Sequence, residues 1–189
     1  MKYLFIFLFI ASVMPDAFAT STEKSTSWVD KSISIRDISN KQKQAEAWGM
    51  CSAVYKKASE LMETESSEAA KIFSTRANEA AIVAGMVYID KGEAAIAAAA
   101  FAAGVVHIDK GEDWIPYTEE QKQAMQSMSQ NIPEVQFNII MADLDVLGWD
   151  IWFDKFSVTL EFCISNLDGQ QFYMYAWRKL ADSGLSESK

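Results

Sequence analysis

The sequence holds one histidine, two cysteines and three prolines in 189 residues, and it is short of positive charge, with 17 Lys and Arg against 26 Asp and Glu and a net charge of −9. Each shortage excludes something. His107 is the only imidazole, and no local motif ties it to a cysteine or serine, so nucleophilic chemistry with a histidine base has little support. The acidic balance repels phosphate backbones and anionic headgroups, which sets nucleic acid aside as a partner. There is no glycine-rich nucleotide loop, no zinc-ligand spacing, no serine-hydrolase elbow and no Cys-x-x-Cys. No catalytic residue, cofactor or metal is therefore assigned. The longest apolar run near the start, Tyr3 to Met14, is too short to span a bilayer.

That run instead has the layout of a secretory signal peptide. Lys2 supplies the charge, Pro15 the break and Ala17-Phe18-Ala19 a small-residue cleavage site. Residues 1–19 are expected to be removed, leaving 170 of the 189, enough for one domain with a proper core. Half of the residues are hydrophobic and 12% are aromatic, which places the mature chain among globular proteins. Its expected location is periplasmic or secreted, with no integral membrane segment after cleavage. In that oxidising setting Cys51 and Cys163 are expected to form one disulfide, worth about 4 to 5 kcal/mol in the chain-entropy model.

Residues 20–39, rich in Ser, Thr and charge, read as an extended N-terminal segment pinned by Trp28. A helical domain over 40–184 follows, and 185–189 reads as a disordered tail. Ser39 to Gln42 fits a capping box, and Ala45, Trp48, Cys51 or Ser52, Tyr55, Ala58 and Met62 then form one helical stripe. A second helix restarts at Ser66 or Ser67, with Ala69, Ile72, Phe73, Ala77, Ala80, Ala84, Val87 and Tyr88 inward. Ala94 to Ile108 is apolar all round, as a buried helix is. Thr118 to Gln121 is another capping box, opening a short helix that Asn131 and Pro133 are expected to stop. Pro133 then opens a further helix, with Val135, Ile139, Met141 or Ala142, and Leu144 inward, up to Gly148.

The last third fits two periods. Phe156 to Ile164 alternates as a strand does, and Asp168-Gly169 fits the turn of a hairpin over 156–177. Trp149, Trp152 or Phe153, Phe156, Leu160, Cys163 or Ile164, and Leu167 also fit a helix. Everything upstream is helical, which favours the second reading. The expected fold is all-α, a single-domain bundle of about five to seven helices stapled by one disulfide, with an α+β fold carrying that hairpin as the alternative.

Val87 to Glu93 (VYIDKGE) recurs at Val106 to Glu112 (VHIDKGE), and Ala80 to Ile96 matches Ala99 to Ile115 at eleven of seventeen positions. The match is that of a tandem duplication. In one continuous helix a nineteen-residue offset turns the second copy by about 100° and carries it ~28 Å, too far for one small ligand. A break after each copy instead gives Gly92 and Gly111 the same job, that of helix C-caps. Asp90, Glu93, Asp109 and Glu112 do not have EF-hand spacing and read as solvated helix ends; His107 stands where Tyr88 stands in the first copy, so that position reads as a packed or half-buried ring rather than a ligand.

Trp149, Trp152 and Phe153, interleaved with Asp150 and Asp154, form the densest aromatic stretch. The ordinary reading is core; the sharper one is an interaction surface. The leading functional expectation is an exported helical binding protein with a protein partner in the cell envelope, in an inhibitor, immunity or assembly role. The alternative is an envelope-acting hydrolase using an acidic pair near Trp149 and Trp152. Nothing in the sequence sets an oligomeric state.

Overall fold

The computed structural model describes residues 27–89 and 119–185: a 3-10 turn at Ile35–Asp37 and five α-helices. These are α1 (Lys41–Met62), α2 (Ser67–Ile89), α3 (Glu119–Leu147), α4 (Trp149–Ser165) and α5 (Leu167–Leu185). No strand occurs among the described residues, so the fold is all-α and the hairpin alternative is set aside. No described helix is long and apolar enough to cross a membrane. The predicted signal peptide, the Ala94–Ile108 run, His107, Gly92, Gly111, the Asp-Lys-Gly-Glu groups and Thr118 lie outside the described residues.

α1 starts one residue later than the predicted capping box. Asn40, as good a cap as serine, accepts the Lys43 amide at 3.0 Å, while Gln42 bonds the Glu46 side chain instead. Gln44 then faces inward and donates to the carbonyls of Ile35 and Arg36 at 2.9 and 3.1 Å. The predicted stripe of α1 is buried along its whole length, from Ala45 through Trp48, Cys51, Ser52, Tyr55 and Ala58 to Met62.

Ser66 caps α2, its Oγ accepting the Ala69 amide at 3.2 Å. Phe73, Ala77, Ala80, Ala84 and Val87 face the core. The small alanines among them let α2 lie close on α1, where Ser52 and Ser59 donate to the carbonyls of Ala77 and Ala70, each at 2.8 Å. Ile72 and Tyr88, expected inward, are exposed. Each stands one residue, about 100°, off the buried stripe.

The expected break at Asn131 and Pro133 does not occur, and α3 runs through Pro133. The proline removes the donor for the Ser129 carbonyl, at a cost of about 3 kcal/mol in an isolated helix. Packing on both sides of it offsets that cost. Met125 is buried before the proline, and Ile140 is buried after it, with Ile132 and Phe137 also against the core. Gly85 of α2 admits the first half: a Cβ there would lie 2.7 Å from the Met125 carbonyl oxygen.

Gly148, at φ 75°, separates α3 from α4. In α4 the helical period holds and the alternating one does not: Trp152, Phe156, Thr159, Leu160 and Cys163 are buried, while Ile164 is exposed. Gly169, the candidate hairpin turn, lies inside α5. A Cβ there would come 2.9 Å from Cδ of Arg36, whose guanidinium sits 4.7 Å over the Phe172 ring.

The N-terminal segment is fastened at two points. Trp28 is one, as expected: its Nε1 donates to Asp143 at 2.8 Å and its ring meets that of Trp152 edge-on at 6.2 Å. The second is fully buried Ile35, whose amide donates to Asn166 Oδ1 at 2.9 Å. Asn166 also accepts from Ser34 Oγ at 3.0 Å and donates to the Phe162 carbonyl at 2.9 Å, so one side chain closes α4 and holds the segment.

Candidate interaction surface

Cys51 and Cys163 form the expected disulfide, with Cα atoms 5.4 Å apart and a separation of 112 positions in sequence. Each sits on the buried stripe of its helix, so the bond ties α1 to α4 inside the core and leaves no free thiol.

The three predicted surface aromatics divide by depth. Trp152 is wholly buried, stacks on Phe156 at 5.0 Å and donates to the Ile140 carbonyl at 2.8 Å. Phe153 is partly buried against the core. Trp149 stacks on both, at 5.4 and 5.6 Å, and is itself exposed. Only Trp149 contributes substantially to a surface.

The larger apolar surface lies on α3. Val135, Ile139 and Val146 are 56%, 42% and 80% exposed, and Ala142 is exposed between them. Val135, Ile139 and Ala142 are expected inward from the sequence and stand outward instead. With Val146, their spacing of i, i+4, i+7 and i+11 makes one stripe, about 120° around the helix from the stripe that is buried. The buried stripe runs through Met125, Ile132, Ile140, Leu144 and Leu147 instead. Past Gly148, at the start of α4, Trp149 and Ile151 are also 40% and 61% exposed.

At its other end the stripe runs into a hollow of about 210 Å³ between α1, the end of α2 and α3, lined by Glu46, Tyr88, Ile132 and Val135 among others. A second, open groove of about 740 Å³ lies between the same three helices. Its lining includes Glu60, Glu63 and Glu134, all exposed, and Lys56, whose Nζ sits 4.3 Å over the Phe137 ring. The groove hydroxyls of Ser52 and Ser59 are engaged by backbone carbonyls, which leaves neither poised as a nucleophile.

Charge follows the apolar stripe. From Asn131 to Asp154 the chain carries Glu134, Asp143, Asp145, Asp150 and Asp154 and no Lys, Arg or His. Asp143 is engaged: it accepts from Lys155 Nζ at 2.7 Å and from Trp28 at 2.8 Å. The Lys155 bond first, then the Trp28 bond, holds its carboxyl below the ordinary 3.8. The other four are exposed. Asp150 and Asp154, the candidate acidic pair, line neither hollow. Among the described residues no three His, Cys, Asp or Glu side chains come together as a metal site would need.

Residues 125–147 hold two apolar stripes in sequence, and the expected inward set takes Leu144 from one and Val135, Ile139 and Ala142 from the other, because no local feature ranks them; the acids of 131–154 are the one signal that marks the outer side. The chain is a disulfide-stapled, all-α, single-domain bundle with an apolar, acid-rimmed outer face. No protein-family model, curated protein or solved structure matches it.

Proposed function

We propose that this is an exported binding protein that docks a protein partner through the outer face of α3 and the adjoining α3–α4 corner. The carrying observation is the stripe Val135, Ile139, Ala142 and Val146, left in water on a helix that already buries another apolar stripe. Single exposed apolar residues are ordinary, but a continuous row at helical spacing is the form in which one helix offers itself to another. The buried disulfide supports export, because such bonds persist in oxidising compartments. Inhibitor, immunity and assembly roles each fit a surface that docks a helix. The hydrolase reading gains nothing from the geometry: Asp150 and Asp154 are exposed on α4, and Asp143 is held by Lys155 and Trp28.

A photo-crosslinking residue at Ile139 or Val146 in the exported protein tests this. The expected result is a reproducible protein adduct from both positions and none from Ile72, an exposed site on α2. Equal labelling from Ile72, or no adduct from Ile139 and Val146, counts against it.

A further inference from the structure

We infer that the partner presents a cationic amphipathic helix, one large apolar side chain of which seats in the hollow beside Tyr88; this rests on the docking surface proposed above. The stripe from Val135 to Val146 spans twelve residues, about 16 Å of helix, and its spacing matches that of a second helix lying along α3. At the Val135 end the 210 Å³ hollow opens between Tyr88, Ile132 and Val135, with room for one large apolar side chain. Tight helix recognition uses such an anchor, a pocketed side chain surrounded by weaker contacts.

The charge around the stripe selects the partner's sign. Glu46 stands at the rim of the hollow on α1, and Glu134 and Asp145 stand on α3 about 80 to 100° around from the stripe. Asp150 and Asp154 continue the same sign past the corner, and Lys155, the next base in the chain, is occupied by Asp143. A second copy of this chain would bring acids against acids across such an interface. A helix with Lys or Arg beside its apolar row meets complementary charge, which speeds encounter and penalises acidic competitors.

Two synthetic helical peptides test the inference against the mature protein by fluorescence anisotropy. Both carry leucine at i, i+4, i+7 and i+11; one has lysine on the flanks, the other glutamate. The lysine peptide is expected to bind at low salt and to weaken as salt rises, because charges at the rim are screened over ~8 Å at physiological ionic strength. The glutamate peptide is expected not to bind. Ile139→Asp and Val135→Asp are each expected to weaken the lysine peptide about tenfold or more, and Glu134→Gln with Asp145→Asn by a smaller factor, with circular-dichroism melts showing that the variants fold.

Equal binding of the two peptides, binding of neither, or undiminished lysine-peptide binding by the Ile139→Asp variant would each overturn the inference. Crosslinks from Ile139 that land on a partner without a basic helix would also overturn it while leaving the docking surface intact. Absence of crosslinks from Ile139 and Val146 would instead remove the docking surface itself.

Discussion

At the scale of single residues, long-range polar contacts fasten what the apolar pattern leaves loose. Asp143 receives Trp28 from one end of the described chain and Lys155 from α4, in a part-exposed setting. Its carboxyl is held below its ordinary 3.8, so the folded protein binds a proton there less readily than the unfolded chain does. The resulting stability is present in full above the unfolded value and is lost as pH falls through the lower, folded one. Lys155 and Asp143 side chains are 23% and 31% exposed, so solvent screening keeps the contribution at about 1 kcal/mol or less. Asp143→Asn is therefore expected to lower the unfolding free energy by about that amount near neutral pH. The gap from wild type should close as pH drops below 3.8, the ordinary carboxyl value. Urea titrations of both proteins over a pH series check this; a gap independent of pH would show that the carboxylate charge is not what matters. The Trp28 bond to Asp143, like the bonds of Asn166 to Ser34 and Ile35, joins residues more than a hundred positions apart and leaves no local trace in the sequence.

At the scale of elements, legibility depended on how many faces each segment offered. α1 carries its apolar residues in one stripe with a capping residue before it, and its span and buried face were both readable to within a residue or two. α4 fits two periods in sequence, and only the core decided: Cys163 must face α1 for the disulfide, which a helix achieves together with Trp152, Phe156 and Leu160. α3 defeated the reading twice, because its second stripe competed with the first and because Pro133 argued for a break that packing overrides. That override makes a prediction. Pro133→Ala restores a backbone donor to the Ser129 carbonyl in a helix already held straight enough to continue. The gain, up to ~3 kcal/mol in an isolated helix, is reduced by the ~0.4 to 1 kcal/mol that proline contributes by restricting the unfolded chain. A net rise of about 1 to 2 kcal/mol is expected from thermal or urea unfolding. A loss of stability would mean that the helix is shaped around the proline ring, which lines the open groove between α1, α2 and α3.

At the scale of the whole molecule, the disulfide joins two unequal layers. α1 and α2 pack on each other through small residues and two serine bonds, and α3 lies on both through Gly49, Gly85 and Ile132. α4 and α5 reach this layer through fewer ties. They include the Trp152 bond to Ile140, the Lys155 pair with Asp143, the bonds of Gln170 to the Arg76 carbonyl and Glu79, the Gln171 bond to Glu79, Arg178 paired with Glu79 at 2.9 Å, and the disulfide. A bond closing a loop of 112 residues removes about 5 kcal/mol of unfolded-state entropy in the chain model. Cys51→Ala with Cys163→Ala is therefore expected to cost several kcal/mol, and the cost should not fall evenly. The open protein keeps every α1–α2 contact, so amide exchange there should track the global loss alone. In α4 and α5 the bond also blocks local detachment, and exchange should accelerate further, by an additional factor of about ten or more for each 1.4 kcal/mol of lost tethering. Hydrogen exchange resolved by helix separates the outcomes. Uniform acceleration across all helices would mean that the bundle opens as one unit and that the bond acts only on the unfolded chain. Selective acceleration would show that it also pins the α4 side of the corner, where Trp149 and Ile151 continue the proposed docking surface. In that case the double variant should lose affinity for the lysine peptide without any change to α3 itself.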